Sequence, residues 1–245
     1  MAQQFPIGTS VLRQLNTSTV LSTLRQHPRD ALRIAELVQS SGLTRPTVQQ
    51  SVDDLLAAGW IAVDSDGDGA PRVGRPATRY RLRPRALPVV GIDVGPHQVS
   101  VGIADVTGDT LALVRRQLRA PGRAPAILSM VDDVLHACLA QADLAVSDID
   151  DVVVGSPGVI DTVSGRVRMA PSVPGWPGAE LLSHLREMLP CPLHLENDAN
   201  LAALEAASQF PGETLLVIQW GARLGAGIVI AGAVHQGADG AAGEI

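Results

Sequence analysis

The stretch GIDVGPHQVSVGIADVTG, residues 91–108, places Asp93, Gly95, Pro96 and His97 where a hydrophobic strand turns back into a second one. A glycine turn of this kind can cradle a phosphate by offering bare backbone N–H groups to the anion. Pro96 has no N–H and His97 is bulky, so the loop lacks the donors that this chemistry uses. The later stretch LLVIQWGARLGAGIVIAGAVHQG repeats the same strand, turn and strand plan, with Gly221 standing 126 residues after Gly95. Ala222 and Arg223 follow it, and Arg223 offers a cation as another way to hold an anion. A duplication of this kind implies two similar lobes with a cleft between them, each turn pointing into the cleft. The second lobe only begins in these residues. A hairpin running into AAGEI does not close a sheet, so Ile245 is not expected to be the natural end of the folding unit.

All 19 basic residues are arginine, which excludes a Walker-type lysine, a Schiff-base lysine and a Ser-Lys dyad. Cys138 and Cys191 are far apart and have no CxxC pattern, so neither a disulfide framework nor a zinc knuckle is written here, and a reducing cytoplasm fits. His97, His184, His194 and His235 show no metal-ligand spacing. Asp64, Asp66, Asp68 and Gly69 copy the first half of a calcium loop, but Arg75 stands where that loop needs a bidentate glutamate. These acids read as turn formers, and no metal is expected. No apolar run reaches ~18 residues, and the N-terminus lacks the basic start and apolar core of a secretion signal, so a soluble chain with no membrane partner is expected.

The elements that must position these residues fall into two modules. Residues 1–85 hold eleven arginines against seven acids, and the remainder holds eight against eighteen, as expected if the first module faces nucleic acid. The periodicity predicts helices over 17–26, 31–41 and 44–59, the third opened by Thr44 as N-cap with Pro46 in its first turn and ended by Gly59. Its apolar face is Val48, Val52, Leu55 and Leu56. Its exposed start carries Arg45, Thr47, Gln49 and Gln50, residue types that pair with base edges in a major groove. A hairpin follows, formed by WIAV and TRYRLRPR around a turn-rich segment with Arg72 and Arg75. The arrangement is that of a winged helix-turn-helix, with Arg75 in a Gly-Arg-Pro tip suited to a minor groove. A small helical bundle with a solvated face and a basic linker is the plainer alternative.

From Leu87 onward the alternation is α/β. Three consecutive strands are expected as an antiparallel meander, then a helix over 124–142, strand 151–155, a loop at 156–165, helix 179–189, strand 192–197 and helix 198–208. Asn197 and Asp198 before LAALEA are also ordinary helix-capping residues. Glu244 reads equally as an exposed terminal acid. Trp176 and Trp220 suit packing as well as stacking on a sugar.

In this order, GLTRPTV, GRPA, VVVGSPGVID, LENDANLAALEA and GADGAAGEI make residues 10–245 resemble the N-terminal part of a ROK-family (repressor, open reading frame, kinase) transcriptional regulator. The resemblance implies a winged helix-turn-helix over 10–83, a linker at 84–88 and an actin/hexokinase-like (ribonuclease H-like) α/β domain over 89–245, its second lobe incomplete. It implies that Gly158 borders a sugar, that Asn197 and Asp198 face its hydroxyls, and that Glu244 belongs to an E-x-G-H element completed beyond Ile245. The family's zinc ligands would also lie beyond Ile245, so no cofactor is expected in the residues present. In kinase relatives the residue matching Asp198 is the catalytic base. The family's phosphate motifs resemble D-x-G-G-T and G-T-G-I-G-A-G. Here Asp93 to His97 and Gly221 to Gly227 have lost the hydroxyl donor and one glycine in each. Ser172 stands where an asparagine is expected on the sugar side.

The function implied is a cytoplasmic, sugar-responsive regulator, a repressor of carbohydrate-use genes with a degenerate kinase-like sensor and no catalytic residue. Its implied partners are a double-stranded DNA operator, a small sugar or sugar phosphate, and a second copy in a homodimer or dimer of dimers. The alternatives are an ATP-dependent, glucokinase-like sugar kinase with a fused DNA-binding domain, in which Asp198 is catalytic, and a non-functional fragment.

Overall fold

The structure, a computed structural model, describes residues 9–64, 78–118, 122–161, 164–178, 181–220 and 224–244. Two compact units divide the chain. One is Met1–Leu87 together with Ala104–Asp109, and the other is Pro88–Ile103 together with Thr110–Ile245.

In the first unit, α1 (Thr9–Arg25), α2 (Ile34–Ser41) and α3 (Arg45–Ala57) are combined with a sheet in the order β1-β3-β2, from β1 (Leu32–Arg33), β2 (Ile61–Asp64) and β3 (Arg79–Leu82). This is a winged helix-turn-helix. Helix α3 buries Val48, Val52 and Leu55, residues three to four apart that share one face, against Val20 and Leu24 of α1 and Leu37 of α2. Each such aliphatic side chain contributes about 1.5–3 kcal/mol when fully buried. Gly42, at φ 69, ends α2 in the left-handed region and donates its N–H to Val38 O at 3.1 Å.

Three expectations change here. The first helix begins at Thr9, well before residue 17. The second begins at Ile34 and not at residue 31, because Leu32 and Arg33 pair antiparallel with Tyr80 and Arg79, and the Glu36 carboxylate accepts the Arg33 N–H at 2.6 Å to open the helix. Thr44 is the N-cap of α3, but its hydroxyl pairs with Thr47 Oγ1 at 2.8 Å and caps no backbone N–H.

The first unit's core also contains Val106, 6% exposed. Beside it the buried Asp105 carboxylate accepts the N–H groups of Arg85, Thr107 and Asp109 and the Thr107 hydroxyl. Burial by itself would raise the Asp105 carboxyl, but these bonds outweigh it and hold the group below the usual carboxylate range.

The second unit is built on a five-stranded sheet in the order β10-β7-β4-β5-β6. Its strands are β4 (Val89–Val94), β5 (Gln98–Ala104), β6 (Thr110–Gln117), β7 (Asp151–Ser156) and β10 (Leu193–Asn197). β4 and β10 both pair parallel with β7, the first with Val90 opposite Val152 and the second with Leu195 opposite Val154. The core holds Val90, Ile92 and Val94 of β4, Val99, Val101 and Ile103 of β5, and Val131, Leu135 and Cys138 of α4 (Ala124–Ala142), with α5 (Leu181–Met188) adding Leu181, Leu182 and Leu185. The segment expected as a loop after β7 contains a short strand instead, β8 (Val159–Asp161), which pairs with β9 (Arg166–Met169) just beyond it. The pair's apolar residues Val159, Ile160 and Val167 are buried, and a three-residue strand is too short to announce itself by alternation.

A further sheet, β11-β12-β13, consists of β11 (Leu215–Trp220), β12 (Leu224–Ile230) and β13 (Ala233–Val234). Helix α6 (Asp198–Ser208) packs on it, and a Cβ on Gly227 would stand 2.5 Å from both Ala199 O and the Ala203 side chain. That close approach of strand to helix accounts for a small residue at this position without any ligand.

Candidate functional site

In the second unit a cleft of about 220 Å³ is formed by three backbone segments whose chemistry the sequence marks. The first is the β4–β5 turn, Gly95 to Gln98. The second is Gly158 with the β10–α6 junction, Asn197 to Ala199. The third is the segment that carries Gly243 and Glu244, with Gln219 and Leu224 to Ala226 also lining the cleft. Gly95, Pro96, His97, Gly158, Asn197, Asp198 and Glu244 are thus brought together. Asp93 borders an adjoining hollow that Asp198 and Gln219 also line. Ser172, in the turn after β9, is half-buried and does not line the cleft. Gly221, Ala222 and Arg223, and Arg72 and Arg75 of the first unit, lie outside the described residues.

The β4–β5 turn uses its own polar groups internally. Gly95 donates its N–H to Gln98 O at 2.8 Å, Pro96 has none to donate, and the carbonyls of Pro96 and His97 accept the N–H groups of Gly122 and Leu118. A phosphate-binding nest needs successive N–H groups aimed outward, and Gly95 and Pro96 present none.

At the β10–α6 junction, Asn197 ends β10 and caps α6. Its Oδ1 accepts the N–H groups of Ala199 and Asn200 at 2.9 and 3.1 Å, while its Nδ2 donates to Gly158 O at 3.0 Å. One amide therefore opens the helix and ties it to the Gly158 loop. Gly158 has φ 94, and a Cβ there would overlap Met169 O, so only glycine fits. The loop is held from beneath by Trp176, which is fully buried and donates its indole N–H to Ser156 Oγ at 2.8 Å. Trp176 therefore packs, while Trp220 is 89% exposed on β11.

Asp198, at the first position of α6, accepts the Ala199 N–H at 3.0 Å. Negative charge at a helix N-terminus is favourable. The Asp93 carboxyl is pushed up by desolvation and by the Asp198 charge, with Arg115 acting in the opposite direction.

Glu244 arrives on a segment shaped by three glycines of positive φ. They are Gly237 (φ 70), Gly240 (φ 75), where a Cβ would stand 2.6 Å from Ile160 O, and Gly243 (φ 95), whose carbonyl accepts the Ala226 N–H at 3.0 Å. The spacing in GADGAAGE thus records a tight path along β8 and β12. Polar pairs such as Trp176 with Ser156, and Gln236 with Glu196 at 2.8 Å, escape sequence reasoning. Their partners lie 20 and 40 residues apart, and no local pattern announces them.

Cys138 Sγ is buried and donates to Val101 O, burial pushes both cysteine thiols up, and among the described residues no group of three His, Cys, Asp or Glu is placed to hold a metal. Among them, too, no helix is long and apolar enough to cross a membrane.

In the first unit, Arg45, Gln49 and Gln50 are exposed at the start of α3, beside the half-buried Thr47. Gln49 donates to Asp53 at 3.0 Å and Gln50 to Asp54 at 3.2 Å, each within its own helix. Asp54 also receives the Arg13 guanidinium from α1, and this bonding holds its carboxyl below the usual range. Of the arginines on β3, Arg79 donates to Ala31 O at 3.3 Å and Arg81 lies 3.8 Å from Asp64. Asp64, the first acid of the calcium-like run, is thereby a partner of the wing.

Residues 89–245 match the ROK family, and residues 14–70 match the MarR family. The chain is 26% identical over 242 residues to a xylose repressor of Caldicellulosiruptor bescii, covering 96% of this chain and 59% of that protein. It is 30% identical over 165 residues to a glucokinase of Thermotoga maritima, covering 65% of this chain and 50% of that enzyme. A solved ROK family transcriptional regulator, a homolog of the E. coli MLC protein, superposes with a TM-score of 0.74 at 20% identity, covering 95% of this chain and 58% of that one. The chain thus spans little more than half the length of the relatives it matches. With the family match covering the whole second unit from β4 onward and the winged helix-turn-helix preceding it, the chain belongs to the ROK family.

Proposed function

We propose that the protein is a sugar-responsive transcriptional repressor that binds a double-stranded DNA operator through α3 and its wing and senses a small sugar or sugar phosphate in the cleft of the second unit. The observation that carries the reading is the asymmetry of that cleft. Asp198 and Glu244 bring carboxylates suited to sugar hydroxyls into the cleft beside Asn197, while the β4–β5 turn keeps its Gly95 N–H for Gln98 and presents Pro96. The similarity to a protein named xylose repressor supports the sugar class. The same reading places the protein in the cytoplasm as a homodimer or dimer of dimers, with no cofactor held by the residues present. Half-sites of such a dimer lie about one DNA turn, ~34 Å, apart, so a small change in the separation of two α3 helices costs much affinity. Sugar binding acts by shifting the population between two such separations.

A second reading, an ATP-dependent sugar kinase, is favoured by Asp198 standing in the cleft as a base and by the 30% identity to a glucokinase. Two measurements separate them. Gel shifts on operator DNA with and without D-xylose and D-glucose are expected to show sugar-dependent binding. Sugar-dependent ADP release that disappears in Asp198→Asn would overturn the sensor reading in favour of the kinase.

A further inference from the structure

Glu196 is the residue just before the two that mark the cleft, and its side chain turns toward a different part of the chain. Its Oε1 accepts the Asn197 N–H at 2.8 Å and the Asn200 Nδ2 at 3.0 Å, and its Oε2 accepts the Gln236 Nε2 at 2.8 Å. One carboxylate therefore holds the β10–α6 junction, which carries Asn197 and Asp198, and the start of the segment that carries Glu244. The Asn200 amide shows how firmly this arrangement is set. Asn200 is 2% exposed, and its Oδ1 has no hydrogen-bond partner among the described residues. An orphaned buried acceptor is costly. Turning the amide over would place Oδ1 against the Glu196 carboxylate and replace attraction with repulsion, so the orientation that feeds Glu196 wins.

From Gln236 onward the segment has little freedom of its own. Gly240 lies against Ile160 of β8, Arg168 of β9 reaches Asp239 O at 3.4 Å, and Gly243 O accepts from Ala226. Ala242 donates its N–H to Gln236 O at 3.1 Å, so the residue that Glu196 holds is itself bonded two residues before Glu244.

We infer that Glu196 and Gln236 form a positioning clamp that sets Glu244 relative to Asp198 in the cleft and thereby determines the affinity of the cleft for its polyhydroxylated ligand. Glu196 is a positioning residue that acts through Gln236 and touches no ligand itself. The inference rests on the sensor reading for its ligand class, but its structural half is measurable without any ligand.

Exchange of the two side chains provides the decisive comparison. In Glu196→Ala the clamp is lost. In Gln236→Glu two carboxylates face each other. In the double variant Glu196→Gln/Gln236→Glu the glutamine at 196 still accepts from Asn197 and Asn200 through Oε1 and donates to the new carboxylate through Nε2, so the clamp re-forms with its polarity reversed. Hydrogen exchange of the backbone amides of residues 237–244 in the ligand-free protein is expected to speed up about tenfold or more in each single variant and to return to the wild-type rate in the double, as loss and recovery of a charge-assisted hydrogen bond requires. Calorimetric titration with D-xylose and with D-glucose is expected to show about tenfold weaker binding in the single variants and recovery in the double. Unchanged exchange over 237–244 in Glu196→Ala, or failure of the double variant to recover, overturns the clamp. If the wild-type protein binds neither sugar, the sensor reading fails for those ligands while the exchange data still decide the clamp.

Discussion

Gly158 combines a positive φ with a backbone neighbour, Met169 O, that occupies the space of any side chain. Gly158→Ala is therefore expected to cost stability by more than about 2 kcal/mol through strain and overlap together, read as a lowered chemical-denaturation midpoint. Asp93 is a different case, a carboxyl pushed up by desolvation and by Asp198. The folded state holds its proton more tightly than the unfolded chain does. Its contribution to stability is fully present below the ordinary carboxylate value and is lost as pH rises through the raised value. Asp93→Asn is expected to flatten that part of the stability profile and to raise stability at neutral pH, and a melting series from pH 4 to 8 checks it. Much of this site was legible from residue types, since helix capping by Asn197 and the missing N–H of Pro96 are local chemistry. The Asn197 to Gly158 bond was not, because its partners are 39 residues apart. Ser172 was placed on the sugar side by resemblance alone, and the turn after β9 keeps it off the cleft wall.

At the scale of elements, α3 presents two kinds of polar residue at its exposed start. Gln49 and Gln50 are already bonded to Asp53 and Asp54 one turn on, whereas Arg45 begins the helix. A glutamine must exchange its bond to an aspartate for one to a base, so much of the gain in the complex is offset by the loss of the helical pair. Arg45→Ala is accordingly expected to weaken operator binding in gel shifts more than Gln49→Ala, by about tenfold against a few-fold, with a shallower salt dependence if Arg45 meets a phosphate. Helix α3 was easy to foresee because four apolar residues keep its period. The strand Leu32–Arg33 was not, since LRIAEL also reads as the start of an amphipathic helix, and only pairing with Tyr80 and Arg79, 48 and 46 residues away, decides it. The β8–β9 pair was missed for the same reason. Short strands owe their existence to partners and not to their own pattern.

For the whole molecule, the division into an arginine-rich first module and an acidic second one was readable from charge alone, and it matches the winged helix-turn-helix and the α/β unit. What charge does not reveal is that the first unit includes Ala104–Asp109, a piece of sequence that begins at the last residue of β5. Val106→Ala is expected to destabilise the first unit by about 2 kcal/mol, as other cavity-forming core changes do, and to lower the melting temperature without altering the salt dependence of DNA binding. Asp105→Asn should act through pH. The wild-type carboxyl is held low, so its stabilising contribution is present above the ordinary carboxylate value near pH ~4 and fades as pH falls through the lower folded value. The amide variant is expected to lose that acid-dependent step. The winged helix-turn-helix is therefore not a detachable cassette. A chimera cut at residue 87 would leave behind Val106, which fills the first unit's core and donates its N–H to Ala86 O, and Asp105, which accepts the Arg85 N–H, so any transplant of this unit must carry along the six residues Ala104–Asp109.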